Sequence, residues 1–258
     1  SSAASDVYKR QVSDSGSIAA STLSAIAAVN TSGTIKATSA ATVTGTAAEI
    51  IAAFGNSTIT EATNVAITVN SGTASLSQAR TIDGYTTGVV TATIADTRVS
   101  DLVGSSPLLD ANGNNAFTVT IGTADAEITA ANLTTLNGLT SVAIEAGNVT
   151  KITGTVAATN TVYAAAGNSE INGLGNEAVV ISGESSNTLS DASTLNTLDG
   201  YTTGTVNAGS LTTIKGDVSD LLTAYASNGI TGLGNEAITL DDTSSVSATD
   251  LNLSLIHI

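Results

Sequence analysis

The chain has no cysteine, methionine or tryptophan, one proline, and only five tyrosines and two phenylalanines among 258 residues. The missing thiols exclude disulfide staples and thiol redox chemistry, and they are compatible with export. With 3% aromatic residues, an interior must be built from Ala, Val, Ile, Leu and Thr, which suits thin regular layers better than a deep globular core. Basic residues are scarce: seven Lys and Arg against 22 Asp and Glu give a formal net charge of −15. A surface of that sign repels nucleic acid and anionic membranes, so neither is an expected partner. No apolar run reaches the roughly 18 residues of a membrane-spanning helix, and none is expected within this segment. The single histidine is His257, at the extreme end, so the body of the chain has no imidazole for acid–base or metal chemistry.

What the chain does contain is a repeat. Leu195-Asn196-Thr197-Leu198-Asp199-Gly200-Tyr201-Thr202-Thr203-Gly204 opens the clearest copy. Ile82-Asp83-Gly84-Tyr85-Thr86-Thr87-Gly88 opens a second, Leu133-Thr134-Thr135-Leu136-Asn137-Gly138 a third, and Leu23-Ser24-Ala25-Ile26 a weaker one. The period is roughly 57 residues, giving copies near 23–78, 79–132, 133–194 and 195–250. A fifth begins at Leu251-Asn252. A fixed period marks a stacked architecture in which each unit buries its apolar face against its neighbours. Residues 12–252 therefore read as one repeat array.

Within the copy from Leu195, Thr205-Val206-Asn207-Ala208 has a β-branched centre after a glycine and reads as a short strand. Ser210 to Gly216 reads as an extended or turning segment. Val218, Leu221, Leu222 and Tyr225 then recur at helical spacing, with Asp217 as N-cap and Gly229 as stop. Glu236 to Leu240 reads as another strand, and Asp250-Leu251-Asn252 as the start of a short helix. Strand candidates centre near Ile35, Ile67, Val90, Val119, Ile144, Val180, Val206 and Ile238. A strand, a return helix and another strand dictate parallel pairing. The expected fold is an α/β solenoid of about eight coils, with a parallel sheet on one face and short helices on the other. The alternative is an all-β parallel solenoid in which Leu211-Thr212-Thr213-Ile214 forms a second strand. Copy two departs from the pattern around Gly104, Pro107 and Asp110 to Asn115, where a truncated helix and an enlarged loop are expected. Tyr163, Tyr225 and Phe54 are expected to be buried between helix and sheet.

The recurring motifs read as structural. Gly173-Leu174-Gly175-Asn176-Glu177 and Gly232-Leu233-Gly234-Asn235-Glu236 place glycines where a turn needs backbone angles closed to other residues. They are not phosphate loops, since no GxxxxGK[ST] pattern occurs. Asp83-Gly84 and Asp199-Gly200 read as helix C-terminal turns. Carboxylates are too sparse for a calcium loop, which wants about six to eight oxygens; Asp241-Asp242 is a denser spot near Asp217 and Asp220 in sequence only, and the total negative charge allows at most weak Ca²⁺ binding at the surface. Thr42-Val43-Thr44, Thr91-Ala92-Thr93 and Thr118-Val119-Thr120 invite comparison with ice-binding solenoids, but Ile35, Ala143 and Asn207 interrupt a continuous threonine row. No pair of acids is singled out for glycoside hydrolysis. No catalytic, cofactor or metal residues are assigned.

The phrases at 195–208 and 232–237 resemble the repeats of very large secreted bacterial cell-surface proteins, of the adhesin-like or hemolysin-type exported class. The resemblance covers 17–252. It implies an extracellular or cell-surface location and a structural or adhesive role, as spacer or binding rod. Its implied partners are neighbouring repeats of a longer chain, with surface glycans or other cells at its binding faces. The calcium nonapeptides of that class are missing, so tight calcium binding does not carry over. Ser1 to Gln11 and Leu253 to Ile258 resemble translated sequencing-adapter DNA and are read as non-native ends of a fragment. No enzymatic role is expected; the alternatives are a carbohydrate-active parallel β-helix and, as a lesser one, an ice-binding solenoid.

Overall fold

The computed structural model describes residues 10–11, 15–30, 32–104 and 114–241. His257, Pro107, Asp242, the copy beginning at Leu251 and the loop over 105–113 lie outside the described residues. The chain divides into two compact units, Ser1–Thr120 with Leu136–Ala143, and Ile121–Thr135 with Ile144–Ile258.

In the first unit, β1 (Arg10–Gln11) and β2 (Ser17–Ala19) precede α1 (Ala20–Val29). Then come β3 (Ile35–Ala37), β4 (Thr42–Gly45) and α2 (Ala47–Phe54). β5 (Ile59–Glu61), β6 (Ala66–Val69) and α3 (Leu76–Asp83) follow. β7 (Val90–Thr93), α4 (Val99–Leu102) and β8 (Ala116–Thr118) complete it. The strands form two parallel sheets, β1-β3-β5 and β2-β4-β6-β7-β8. In-register pairing lines up Ile18, Val43, Ile67 and Val90 in one buried row.

The second unit uses the same parts. β9 (Glu127–Thr129) leads into α5 (Ala130–Asn137), whose last two residues belong to the first unit. β10 (Ile144–Glu145), β11 (Lys151–Gly154) and α6 (Val156–Gly167) follow, then β12 (Ile171–Asn172) and β13 (Ala178–Ile181). β14 (Thr188–Leu189) and α7 (Ala192–Tyr201) precede β15 (Val206–Asn207) and β16 (Thr213–Gly216). α8 (Val218–Ala226), β17 (Ile230–Thr231) and β18 (Ala237–Leu240) close the described chain. The sheets are β9-β11-β13-β15-β17, β10-β12 and β14-β16-β18, all parallel. Ile128, Ile152, Val179, Val206 and Ile230 form the central row, and all are buried. Each such side chain contributes about 1.5–3 kcal/mol on burial, so the row is the backbone of the unit's stability.

Parallel sheets alternating with short helices are thus the observed architecture. One expectation is corrected. The strand-plus-helix reading gave each coil a single strand, but the structure has strands on both sides of most helices. β3, β5, β12 and β17 follow a helix, while β4, β11 and β16 precede one. Thr213–Gly216, read from sequence as an extended or turning segment, is strand β16 with Ile214 buried. The second strand accompanies the helix rather than replacing it. Strands of two to four residues carry too few alternations to register as a period of two, so sequence reading finds some, such as β10 and β15, and passes over others that are longer, such as β11. Two strands, β6 and β13, change neighbours: each pairs with a pre-helix strand on one side (β4, β11) and a post-helix strand on the other (β7, β15).

The helices bury residues three apart: Ala47, Ile50 and Ala53 in α2, Ala192, Leu195 and Leu198 in α7, Val218, Leu221 and Ala224 in α8. In α8 this moves Ala224 into the core and leaves Leu222 and Tyr225 half-buried. Phe54 is also half-buried, whereas Tyr163 is buried. Small residues let the start of a helix lie against the end of a neighbouring strand. Gly154 and Gly216 end β11 and β16, and a Cβ on either would lie 3.0 or 2.9 Å from the Cβ of Ala130 or Ala192, the first residues of α5 and α7. α4 has four residues, with Val99 and Leu102 buried, a truncated helix where copy two departs from the pattern.

Candidate functional site

The motifs converge on one recurring arrangement, a tyrosine–carboxylate clip beside a glycine turn. Tyr163 is the eighth residue of α6, and its hydroxyl donates to Glu177 Oε2 at 3.0 Å. The Gly175 amide donates to the same oxygen at 2.8 Å. Tyr225, the eighth residue of α8, donates to Glu236 Oε2 at 2.9 Å, and the Gly234 amide at 2.7 Å. The two tyrosines lie 14 and 11 residues before their glutamates. The clip therefore survives a difference of three residues between helix and turn. Gly173 (φ 86°) and Gly175 (φ 128°), like Gly232 (φ 83°) and Gly234 (φ 130°), adopt left-handed angles there, as the motif requires. Glu177 has no accessible surface, and these donors supply its carboxylate with hydrogen bonds. Burial, followed by the negative charge of Glu177, pushes the Tyr163 hydroxyl above the ordinary tyrosine range. Burial, followed by the hydrogen bond to Glu236, does the same to Tyr225.

The first copy replaces both partners together. At the eighth position of α2 stands Phe54, and eleven residues on stands Val65 instead of a glutamate. A hydroxyl with no carboxylate, or a carboxylate with no hydroxyl, leaves a buried polar group unpaired at about 1–3 kcal/mol; replacing both is close to neutral. The sequence held this signal in the paired change from Tyr/Glu to Phe/Val, but motif reading by residue type alone missed it.

The Tyr-Thr-Thr-Gly segment locks onto the same turn from further along the chain. Thr202 Oγ1 donates to the Glu177 carbonyl at 2.7 Å, as Thr86 Oγ1 does to the Val65 carbonyl at 2.6 Å. A Cβ on Gly204 would lie 2.2 Å from the Glu177 carbonyl oxygen, and one on Gly88 2.6 Å from that of Val65. Tyr201 stacks on Tyr163 with ring centroids 5.7 Å apart, and Tyr85 on Phe54 at 5.3 Å.

The acids behave as connectors too. Asp83 is buried and accepts from Asn115 Nδ2 at 2.6 Å; Asp199 accepts from Ser227 Oγ at 2.6 Å. Both occupy the eighth position of their helices, α3 and α7. Asp83 and Asp199 thus lie in the last turn of their helices, as the Asp-Gly reading expected. Glu184 accepts from the Val156 amide at 2.7 Å, and Asp96 from the Leu76 amide at 2.5 Å. Each caps the first amide of a helix, 28 or 20 residues earlier in the chain, where the helix dipole favours an anion. Capping boxes at Thr46/Glu49 and Ser75/Gln78 close the starts of α2 and α3; these were legible as T-x-x-E and S-x-x-Q and went unread. The backbone and side-chain hydrogen bonds from Thr46 hold the Glu49 carboxyl below its usual range. Asp217 stands at the N-cap position of α8, but that helix stops at Ser227 rather than at Gly229.

Among the described residues, no group of three or more His, Asp or Glu side chains could hold a metal ion. Asp217, Asp220 and Asp241 do not form one. The threonine rows fall differently from the sequence reading. In the first unit Thr44, Thr68 and Thr91 are in register between Ala19 and Ala116. Ile35 belongs to another sheet and Ala143 precedes β10, so neither interrupts that row. Asn207 does interrupt the second unit's row, between Val180 and Thr231. Comparison with protein-family models, with curated proteins and with solved structures gives no match.

Proposed function

We propose that the chain is a structural or adhesive repeat segment of a large secreted bacterial surface protein, a solenoid acting as spacer or binding rod. The observation that carries this reading is the use made of the recurring motifs. Tyr-Glu, Thr-Thr-Gly, Asp-Gly and Gly-Leu-Gly are spent on holding one coil to another or closing a turn. They recur with the copy instead of converging on one place, as the parts of a rod do and the parts of a catalytic cleft do not. The net charge of −15 suits a solvent-facing location. Antibodies against this segment should label intact source cells without permeabilisation. Labelling that appears only after lysis overturns the proposal. Release of reducing sugar from a polysaccharide panel would instead favour the carbohydrate-active alternative.

A further inference from the structure

We infer that the whole copy of roughly 57 residues, and not the single coil, is the smallest unit by which this chain can be lengthened or shortened. The inference rests on the stacked-coil part of the reading above and is independent of any cell-surface role.

Two kinds of coil alternate over α2–α3 and over α6–α8, and the eighth helical position tells them apart; α1 has Ala27 there, α5 has Asn137, and the four-residue α4 has no such position. It holds Phe54 in α2, Tyr163 in α6 and Tyr225 in α8, but Asp83 in α3 and Asp199 in α7. The steps between them differ accordingly. From an aromatic coil to an acid coil, as from α6 to α7, the contacts are the Tyr163–Tyr201 stack, the Thr202 hydroxyl on the Glu177 carbonyl, and Gly204 pressed against that carbonyl. The step from α2 to α3 repeats them with Phe54, Tyr85, Thr86 and Gly88. From the acid coil α7 to the aromatic coil α8, Asp199 accepts from Ser227, while Asn196 Nδ2 donates to the Asp220 carbonyl at 2.9 Å, the same contact that Asn160 Nδ2 makes to the Thr194 carbonyl in the step from α6 to α7. Gly229 there leaves room for the carboxylate, since a Cβ would lie within 2.1 Å of Asp199 Oδ1.

The steps share the asparagine contact and differ in the rest: the ring stack and the Thr202–Glu177 contact belong to one, and the Asp199–Ser227 contact to the other. Removing residues 206–229 takes out one coil and joins Thr205 to Ile230. The turn carrying Glu236 would then follow α7 directly. The eighth position of that helix is Asp199, a shorter acid with no proton to give, so Glu236 would lose the donor that Tyr225 now supplies. Removing residues 156–217 takes out a whole copy and joins Thr155 to Val218. Thr155 already serves as a helix N-cap, α8 is kept entire, and the Tyr225–Glu236 clip survives.

The test compares these two deletions in the otherwise full chain, by thermal melting followed by circular dichroism. The whole-copy deletion is expected to melt in one transition within about 5 °C of the parent. The single-coil deletion, although it removes fewer residues, is expected to melt lower than that, and Asp199→Tyr in the shortened chain is expected to recover part of the loss by restoring a donor for Glu236. A single-coil deletion that melts with or above the whole-copy deletion overturns the inference. So does a whole-copy deletion that fails to fold, or a shortened chain that Asp199→Tyr makes no more stable. None of these results bears on whether intact source cells are labelled, so the two proposals fail separately.

Discussion

The tyrosine–carboxylate clip can be tested by a double-mutant cycle on Tyr163 and Glu177. Tyr163→Phe removes one hydrogen bond to a buried carboxylate and leaves the Gly175 amide in place. A hydrogen bond to a charged group is worth about 1.5–3 kcal/mol, and the ring keeps its stack on Tyr201, so the loss should fall in that range. Glu177→Val removes the acceptor for both donors, stranding the Tyr163 hydroxyl in a buried position, at a cost of about 2–4 kcal/mol. The double variant recreates the Phe54/Val65 pair of the first copy. Its hydroxyl is no longer orphaned, so it should be more stable than the sum of the singles by about 1–3 kcal/mol. In a chain of this size each kcal/mol moves the melting temperature by roughly 2–4 °C, which resolves the coupling by thermal and urea unfolding. Strictly additive losses would refute the argument that the clip explains the paired substitution.

Gly204→Ala should destabilise by about 3 kcal/mol, because its Cβ would meet a backbone carbonyl that cannot swing aside, whereas Gly147→Ala, with nothing within 4 Å, should melt close to the parent. Glu61 has a buried Oε1 without a partner, and burial raises its pKa above 4.5 despite an opposing hydrogen bond from its own backbone. A raised acid favours the protonated fold, so its stability contribution is lost as pH rises through the folded pKa; Glu61→Gln should therefore raise the melting temperature at pH 7, with the gain shrinking in acid. An equal gain at all pH values would remove charge as the cause. In the alkaline direction, the raised pKa values of Tyr163 and Tyr225 mean that stability present below about pH 10, the ordinary tyrosine value, is lost as pH rises towards the folded values. Two of the five tyrosines should ionise, by ultraviolet difference absorbance, only above the ordinary range or on unfolding. Ionisation of all five in one step without unfolding would contradict their burial.

Periodicity and residue type by themselves determined the parallel pairing, the short helices and the glycine turns. A repeating β-branched centre such as Val206, followed by a helical stripe such as Val218 and Leu221, leaves no other connection than a return to a parallel neighbour. The glycines at 173, 175, 232 and 234 were readable because only one residue type tolerates their backbone angles. The second strand beside most helices was not reliably readable, since two to four residues cannot display a period. Nor were the partners of the polar groups. That Glu177 meets a tyrosine hydroxyl, that Glu184 caps the first amide of α6, and that Gly204 presses on the Glu177 carbonyl are facts of tertiary packing. They depend on which residues come opposite one another across segments some 20 to 30 residues apart. Local pattern sets what a segment prefers to be; only the packed register decides which of its polar groups find a donor and which glycines have no room for a side chain.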